Sequence, residues 1–383
     1  MKIIKCNITN TTDLKGGIMK VVIEKEELVK ATQIAQTGIS TKSTLPHLNS
    51  FFLEARDKEI LISATDLEIA VKCTVPCNVK KKGKVTVIGK KFAEIVKELP
   101  GEEVAIEEIE ENRILIKSGT DVFRLSGIPV EDFPEIPEFD EKKGMKVEKE
   151  KFQNMLIKTH FSSSTDESRY VLCGVYCVFE KGKLKVVATD GRRLSYIYEE
   201  TNKSNKGNVI IPNKTVNTLL KLLNFSKGEE LLFGITENMV AFKFDSILLT
   251  SRIIDGSFPN YEQVIPKSQE CSVTCNVQEL LKATRRVSLM TTERSRAVKY
   301  DFKKNTLLIY AQTEGIGEGV TEIPVNYENK EIEIAFNPQF IIDTLRHIDT
   351  DEVEIMFTNS LNPVTFKPKG KDNYLNIIMP MRV

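Results

Sequence analysis

The chain has 383 residues, 41% hydrophobic and 28% charged, which excludes a disordered or fibrous chain; at roughly 100 to 200 residues per domain, the length predicts two to four domains. Fifty-four Lys plus Arg balance 54 Asp plus Glu, so bulk charge draws neither nucleic acid nor membrane, and only a local distribution of charge can do so. No run approaches the roughly 18 apolar residues of a membrane span, and residues 1–18 lack the apolar stretch of a signal peptide, so a cytoplasmic protein is expected.

Residues 1–18 read as an N-terminal extension, disordered and without an assigned role. After it, Val21-Val22-Ile23 predicts a strand and Glu26 to Gln36 a helix. Phe51 to Ala55, Glu59 to Ala64 and Glu68 to Cys73 alternate as antiparallel strands, and Lys90 to Leu99 predicts a second helix stopped by Pro100-Gly101. The pattern then starts again, twice. EKEELVKATQIAQ from Glu24, EKEKFQNMLIKTH from Glu148 and NVQELLKATRRVS from Asn276 carry the same helix signal. Ala64-Thr65-Asp66 returns 124 residues later as Ala188-Thr189-Asp190, with a weaker copy around Ala311. EDFPEIPE around Pro134 matches GSFPNYEQVIP around Pro259 at an offset of 125, and these proline stretches read as linkers closing the first two repeats. The expected domains are therefore 19–143, 144–267 and 268–383. Each holds two helices and about eight strands, an α+β fold with helices on one face of antiparallel sheets.

Six of the seven cysteines fall in C-x3-C pairs: Cys73 with Cys77, Cys173 with Cys177, and Cys271 with Cys275. In strands such residues stand about 13 Å apart, too far for a disulfide or a shared metal, so they are read as strand packing residues. No metal and no cofactor are expected.

Charge is unevenly placed. The predicted helices carry thirteen basic residues, Lys30, Lys90, Lys91, Lys97, Lys149, Lys151, Lys158, Lys214, Lys221, Lys282, Arg285, Arg286 and Arg346, against seven acidic ones. A surplus of about six on the helices leaves the turns and linkers acidic, as in GEEVAIEEIEEN. Basic helices without base-reading motifs make nonspecific, salt-sensitive phosphate contacts, which permit sliding.

Three copies of about 125 residues, LPHL at Leu45, ATDGRRL at Ala188, DGSFP at Asp255 and the closing YLNIIMPMRV together resemble the β subunit of bacterial DNA polymerase III, the sliding-clamp family. The resemblance runs from Met19 to Val383. It implies a DNA clamp fold and a head-to-tail homodimeric ring, with helices lining a pore that double-stranded DNA threads. It also implies that the ring tethers the polymerase III catalytic subunit for processive replication and serves the clamp loader and other proteins bearing a clamp-binding motif. By motif position it assigns a partner-peptide groove to Leu172, Thr189, Gly191, Arg192, Arg193, Leu194, Pro259, Val264, Leu361, Ile377, Met379, Pro380, Met381 and Arg382. Apolar residues and two methionines make adaptable walls, and Arg193 and Arg382 are expected to hold carbonyls or an acidic flank of the peptide. Arg192 departs from the His of many family members. Lys42 and the helix residues Lys90, Lys91, Lys97, Lys149, Lys158, Lys214, Lys221, Lys282, Arg285, Arg286 and Arg346 are the expected DNA contacts.

Two rivals were weighed. An enzyme would use Asp66 and Asp190, or Asp190 with Arg192 and Arg193, but equivalent positions of tandem repeats lie in different domains, and His47, His160 and His347 form no triad pattern. No nucleotide-binding, zinc-protease or hydrolase motif occurs, so no catalytic residue is expected. The other rival is a monomeric three-repeat scaffold that binds peptides and encircles nothing.

Overall fold

Each repeat begins with a strand that runs straight into a helix. In the computed structural model, which describes residues 19–382 apart from 41, 42, 44, 111, 203 and 293–295, Lys20–Glu24 leads into α1 (Lys25–Gln36). Gly83–Ile88 likewise leads into α2 (Gly89–Glu98), Met145–Glu148 into α3 (Lys149–Ile157), Gly207–Pro212 into α4 (Asn213–Leu223) and Cys271–Asn276 into α5 (Val277–Ser288). Only α6 (Pro338–Arg346) is set off from its strand, by the capping residue Asn337, whose side chain accepts from the Gln339 amide at 3.0 Å. The predicted helices are matched to within one residue at each end. The extension 1–18 and Lys42 lie outside the described residues.

One stripe of every helix is apolar. In α1 it is Leu28, Ala31, Ile34 and Ala35; in α5 it is Val277, Leu280, Leu281, Ala283 and Val287, and both stripes pack on strands. The pairs α1 with α2 and α5 with α6 also pack on each other.

The chain forms two compact units. The first comprises residues up to Lys146 with Lys221–Gly234 and Ala241–Arg252; the second comprises Val147–Leu220, Ile235–Val240 and the chain from Ile253 onward. The division cuts through the middle repeat because sheets continue from one repeat into another. In the first unit Ile69–Pro76 pairs with Ile247–Arg252, Val71 opposite Leu249, inside an eight-stranded antiparallel sheet. In the second, Arg193–Glu200 pairs with Tyr374–Ile378, Leu194 opposite Ile377, in another eight-stranded sheet. The first unit also holds a five-stranded sheet ending in Asp121–Ser126, and the second a four-stranded sheet ending in Gly317–Pro324.

Equivalent local structures recur where the sequence repeats. Thr65 Oγ1 donates to the Ile69 carbonyl at 2.7 Å, while Asp66 Oδ1 accepts from the amides of Glu68 and Ile69. One repeat later Thr189 Oγ1 donates to the Arg193 carbonyl at 2.6 Å, and Asp190 Oδ1 accepts from the amides of Arg192 and Arg193. A-T-D is thus a turn device in which side chains satisfy backbone donors. The proline linkers are equivalent too: Phe133 stacks on Phe52 at 5.3 Å, and Phe258 stacks on Tyr176 at 4.8 Å.

The cysteines of the three pairs are free thiols. Burial pushes Cys73 and Cys77 up to about 11 and Cys275 up to about 12, which keeps them protonated and inert near neutral pH. Among the described residues no helix is long and apolar enough to cross a membrane, and no group of three or more His, Cys, Asp or Glu could hold a metal ion.

Candidate functional site

The residues expected at the peptide groove gather, in large part, at one end of the second unit's eight-stranded sheet. The turn after Thr189 requires Gly191, which has φ +84°, and an added Cβ there would meet the Arg169 guanidinium at 3.2 Å. Gly256 in the linker has φ +123°, and a Cβ there would press on Val171 at 3.0 Å. The turn then feeds Arg193–Glu200, and the paired strand Tyr374–Ile378 carries the closing segment beside it. Met379 N donates to the Arg192 carbonyl at 2.9 Å, and Met381 N donates to the Ala335 carbonyl at 2.7 Å. The chain end is therefore stitched to two different sheets.

Beneath this lies a core of Val187, Leu194, Tyr261 and Ile377, with Tyr176, Tyr196, Phe258, Ile265 and Leu375 packed against it. Leu194 is 2% and Ile377 1% exposed, so neither forms a wall: both are the floor on which the site rests. Leu172 is nearly buried as well. The apolar side chains that do face outward are Val264, Met379 and Leu361, with Pro259 exposed and Pro380 and Met381 half-buried. Leu361 sits in a turn whose amides are held by Asn359 Oδ1, at the Met379 end of the sheet, because Val364 pairs with Ile378.

Arg193 has a different task from the one expected. Its Nε donates to Asp190 Oδ2 at 3.1 Å, Nη1 to Asp343 Oδ2 of α6 at 2.8 Å, and Nη2 to the Phe161 carbonyl at 2.8 Å. Its guanidinium carbon also lies 4.6 Å from the centroid of the Phe340 ring. Every donor direction is taken, so Arg193 is a clasp between the second and third repeats and does not hold the peptide. Arg382 is exposed and Arg192 projects outward.

Lys158 is likewise corrected. Its side chain is 8% exposed, its Nζ donates to Asp349 Oδ2 at 2.9 Å and it stands 5.1 Å from the centroid of the Tyr374 ring. An ammonium so buried and paired meets no phosphate. Burial alone would raise the Asp349 carboxyl, but Lys158 and Lys371 outweigh burial and hold it below its ordinary value. Phe161 and His347 stack at 4.1 Å in the same seam, and His347 Nδ1 lies 2.7 Å from the Asp343 carbonyl.

Burial holds His347 below its ordinary value of 6.5, helped by the neighbouring His160. The unfolded chain therefore binds a proton there more readily than the folded one, and folding loses stability as pH falls below about 6.5. The melting temperature should drop less between pH 7 and pH 5 in His347→Phe, which keeps the stack, than in the parent. An identical pH slope in both would show that His347 titrates as in the unfolded chain.

The other expected DNA contacts are placed as follows. Lys90, Lys91 and Lys97 lie on the exposed face of α2, with Lys91 paired to Glu94 at 2.8 Å. Lys282, Arg285 and Arg286 lie on the exposed face of α5, opposite its apolar stripe. Lys214, Lys221 and Arg346 are exposed and Lys149 is half-buried.

A polar cleft of 540 Å³ opens beside the turn, lined among others by Arg169, Arg192, Asn213, Arg296, Asn337 and Phe340. Arg169, Arg296, Asn337 and Phe340 went unnoticed in the sequence. The only available signal was Arg169's position three residues before Leu172, since the others come from distant segments.

Models of the N-terminal, central and C-terminal domains of the DNA polymerase III beta subunit match residues 19–137, 146–260 and 262–382. The beta sliding clamp of Chlamydia pneumoniae is 32% identical over 369 residues, covering 95% of this chain and 99% of the relative. A crystal structure of the beta subunit from Thermotoga maritima superposes with a TM-score of 0.88 at 30% identity, covering 95% of this chain and all of that one. A Pseudomonas aeruginosa sliding clamp bound to griselimycin superposes with a TM-score of 0.91 at 28% identity, covering 96% and 100%. Three repeats with strand-to-helix starts, shared sheets and matching A-T-D turns are thus the three-domain clamp fold, and the chain belongs to the DNA polymerase III beta subunit family.

Proposed function

We propose that this chain is a DNA sliding clamp: two copies close head to tail into a ring around duplex DNA and hold the replicative polymerase on its template. Three clamp domains, 19–143, 144–267 and 268–383, would turn their helices to the pore. One observation carries the closed ring. The five-stranded sheet ends in Asp121–Ser126, exposing Val122 and Phe123, and the four-stranded sheet ends in Gly317–Pro324, exposing Ile316 and Val320. An open, apolar-bearing strand edge is an invitation to pair, and two such edges on one chain allow a closed head-to-tail ring. The outward faces of α2 and α5 supply mobile phosphate contacts, which suit sliding.

The end of the sheet around Val264, Leu361, Met379 and Met381 serves as the docking groove for short apolar peptides from the polymerase catalytic subunit, the clamp loader and other clamp-binding proteins. Griselimycin, bound by the Pseudomonas relative, would occupy this groove. The ring performs no chemistry itself and works in the cytoplasm. Asp66 and Asp190, the best candidates for an enzyme, are committed to their own turns.

Loading onto nicked circular DNA, sealing the nick and washing with rising salt tests the reading. The ring should stay on closed circles at salt that removes it from linearised DNA, because topology does not depend on counterion release. Equal loss from both would favour the monomeric scaffold, as would a solution mass of 43.3 kDa in place of twice that value.

A further inference from the structure

The cleft beside the groove has its own chemistry. Among its charged residues Asp190 is neutralised by Arg193, which also takes up Asp343. Arg169, Arg192 and Arg296 are left against the single carboxylate of Asp166, whose Oδ1 accepts from the Ser168 amide and hydroxyl. Arg169 spends one donor on the Asp190 carbonyl at 3.2 Å, while the Arg192 guanidinium is exposed and has no partner among the described residues. Asn213 and Asn337 add polar side chains to the same wall. Arg192 joins this cleft to the apolar groove directly, since its carbonyl holds the Met379 amide.

We infer that the cleft recognises a carboxylate, so that the partner peptides preferred by this clamp carry an Asp or Glu at a fixed distance from their apolar anchor. The inference rests on the groove proposed above. Arg192 is the specificity residue: a planar fork of donors with no internal partner gains most from a carboxylate it can bind in two places. Arg169 and Arg296 supply supporting positive charge and Gly191 the room for Arg169. A peptide without the acid would leave these guanidiniums solvated and lose only the charged contact.

The test is selection of a random peptide display library on the full-length chain, followed by titration of the best peptide and its Asp→Asn form. Selected peptides should share apolar anchors and an acid at constant spacing. The acidic form should bind at least tenfold more tightly than the amide form at low salt. In Arg192→Ala that ratio should fall below threefold, and in the parent it should shrink as salt rises. Apolar anchors without an acid, or a ratio indifferent to Arg192, would overturn the inference and leave the groove standing. The absence of any apolar consensus would remove the groove and the inference together. Arg192-dependent binding of oligothymidylate, with no acidic preference among peptides, would assign the cleft to nucleic acid and overturn it too.

Discussion

Phe123→Glu combined with Val320→Glu is expected to turn an 87 kDa ring, twice 43.3 kDa, into 43.3 kDa monomers and to abolish retention on closed circular DNA. Phe123 is 40% and Val320 62% exposed in the single chain, and both lie on strands that end their sheets, so neither supports the fold of its own unit. If the edges pair in the dimer, each apolar side chain gains about 1.5–3 kcal/mol from burial, and its replacement by a carboxylate adds a desolvation cost of the same order or larger. Glu318 and Glu322 on the same edge as Val320 make a further carboxylate there more costly. A total above about 4 kcal/mol per interface weakens association at least a thousandfold. Because a ring has two such interfaces, half-open dimers should be rare. Mass by light scattering and salt-resistant retention on sealed circles measure the outcome, with circular dichroism confirming that the monomer is folded. A folded double variant that still forms a salt-resistant ring would place the interface elsewhere.

The repeats were legible because helix signals and turn chemistry are local. Glu27 to Thr32 and Glu279 to Thr284 both fall within helices that follow strands, and Thr65-Asp66 and Thr189-Asp190 both close the same kind of turn. What escaped was set by partners distant in sequence. Lys158 reads as one more solvated helix lysine until Asp349, 191 residues later, is found against it. Arg193 reads as a peptide-binding cation until α6 brings Asp343 within 2.8 Å. The same distance hides the cleft, whose lining joins Arg169, Arg296 and Phe340 from three segments. Pairing of Ile69–Pro76 with Ile247–Arg252, which makes the middle repeat divide between two units, lies equally beyond local pattern. Motif position located the groove but could not separate wall from floor: Leu194 and Ile377 alternate with outward residues on their strands, and only the packed sheet shows which way each faces.

Removal of 379–383 is expected to weaken binding of apolar-anchored peptides by more than a hundredfold while leaving the dimer and its grip on closed circles intact. The deletion takes away Met379 and Met381, two of the adaptable apolar side chains of the groove, each worth roughly 1.5–3 kcal/mol when a ligand covers it. It also takes away the Met379 amide that holds the Arg192 carbonyl, and with it one restraint on the turn that carries Arg192 into the cleft. The fold should survive, because Ile378 is fully buried and remains, and the two lost backbone hydrogen bonds contribute only about 1 kcal/mol each. Ring closure should survive for a topological reason. The chain end is tied to Ala335 in Ile332–Phe336, which lies at the opposite end of the four-stranded sheet from the open edge Gly317–Pro324. The two surfaces are therefore separable: titration of a selected peptide reads one, and light scattering reads the other. Loss of the dimer on deletion, or peptide binding at parental affinity, would contradict that separation.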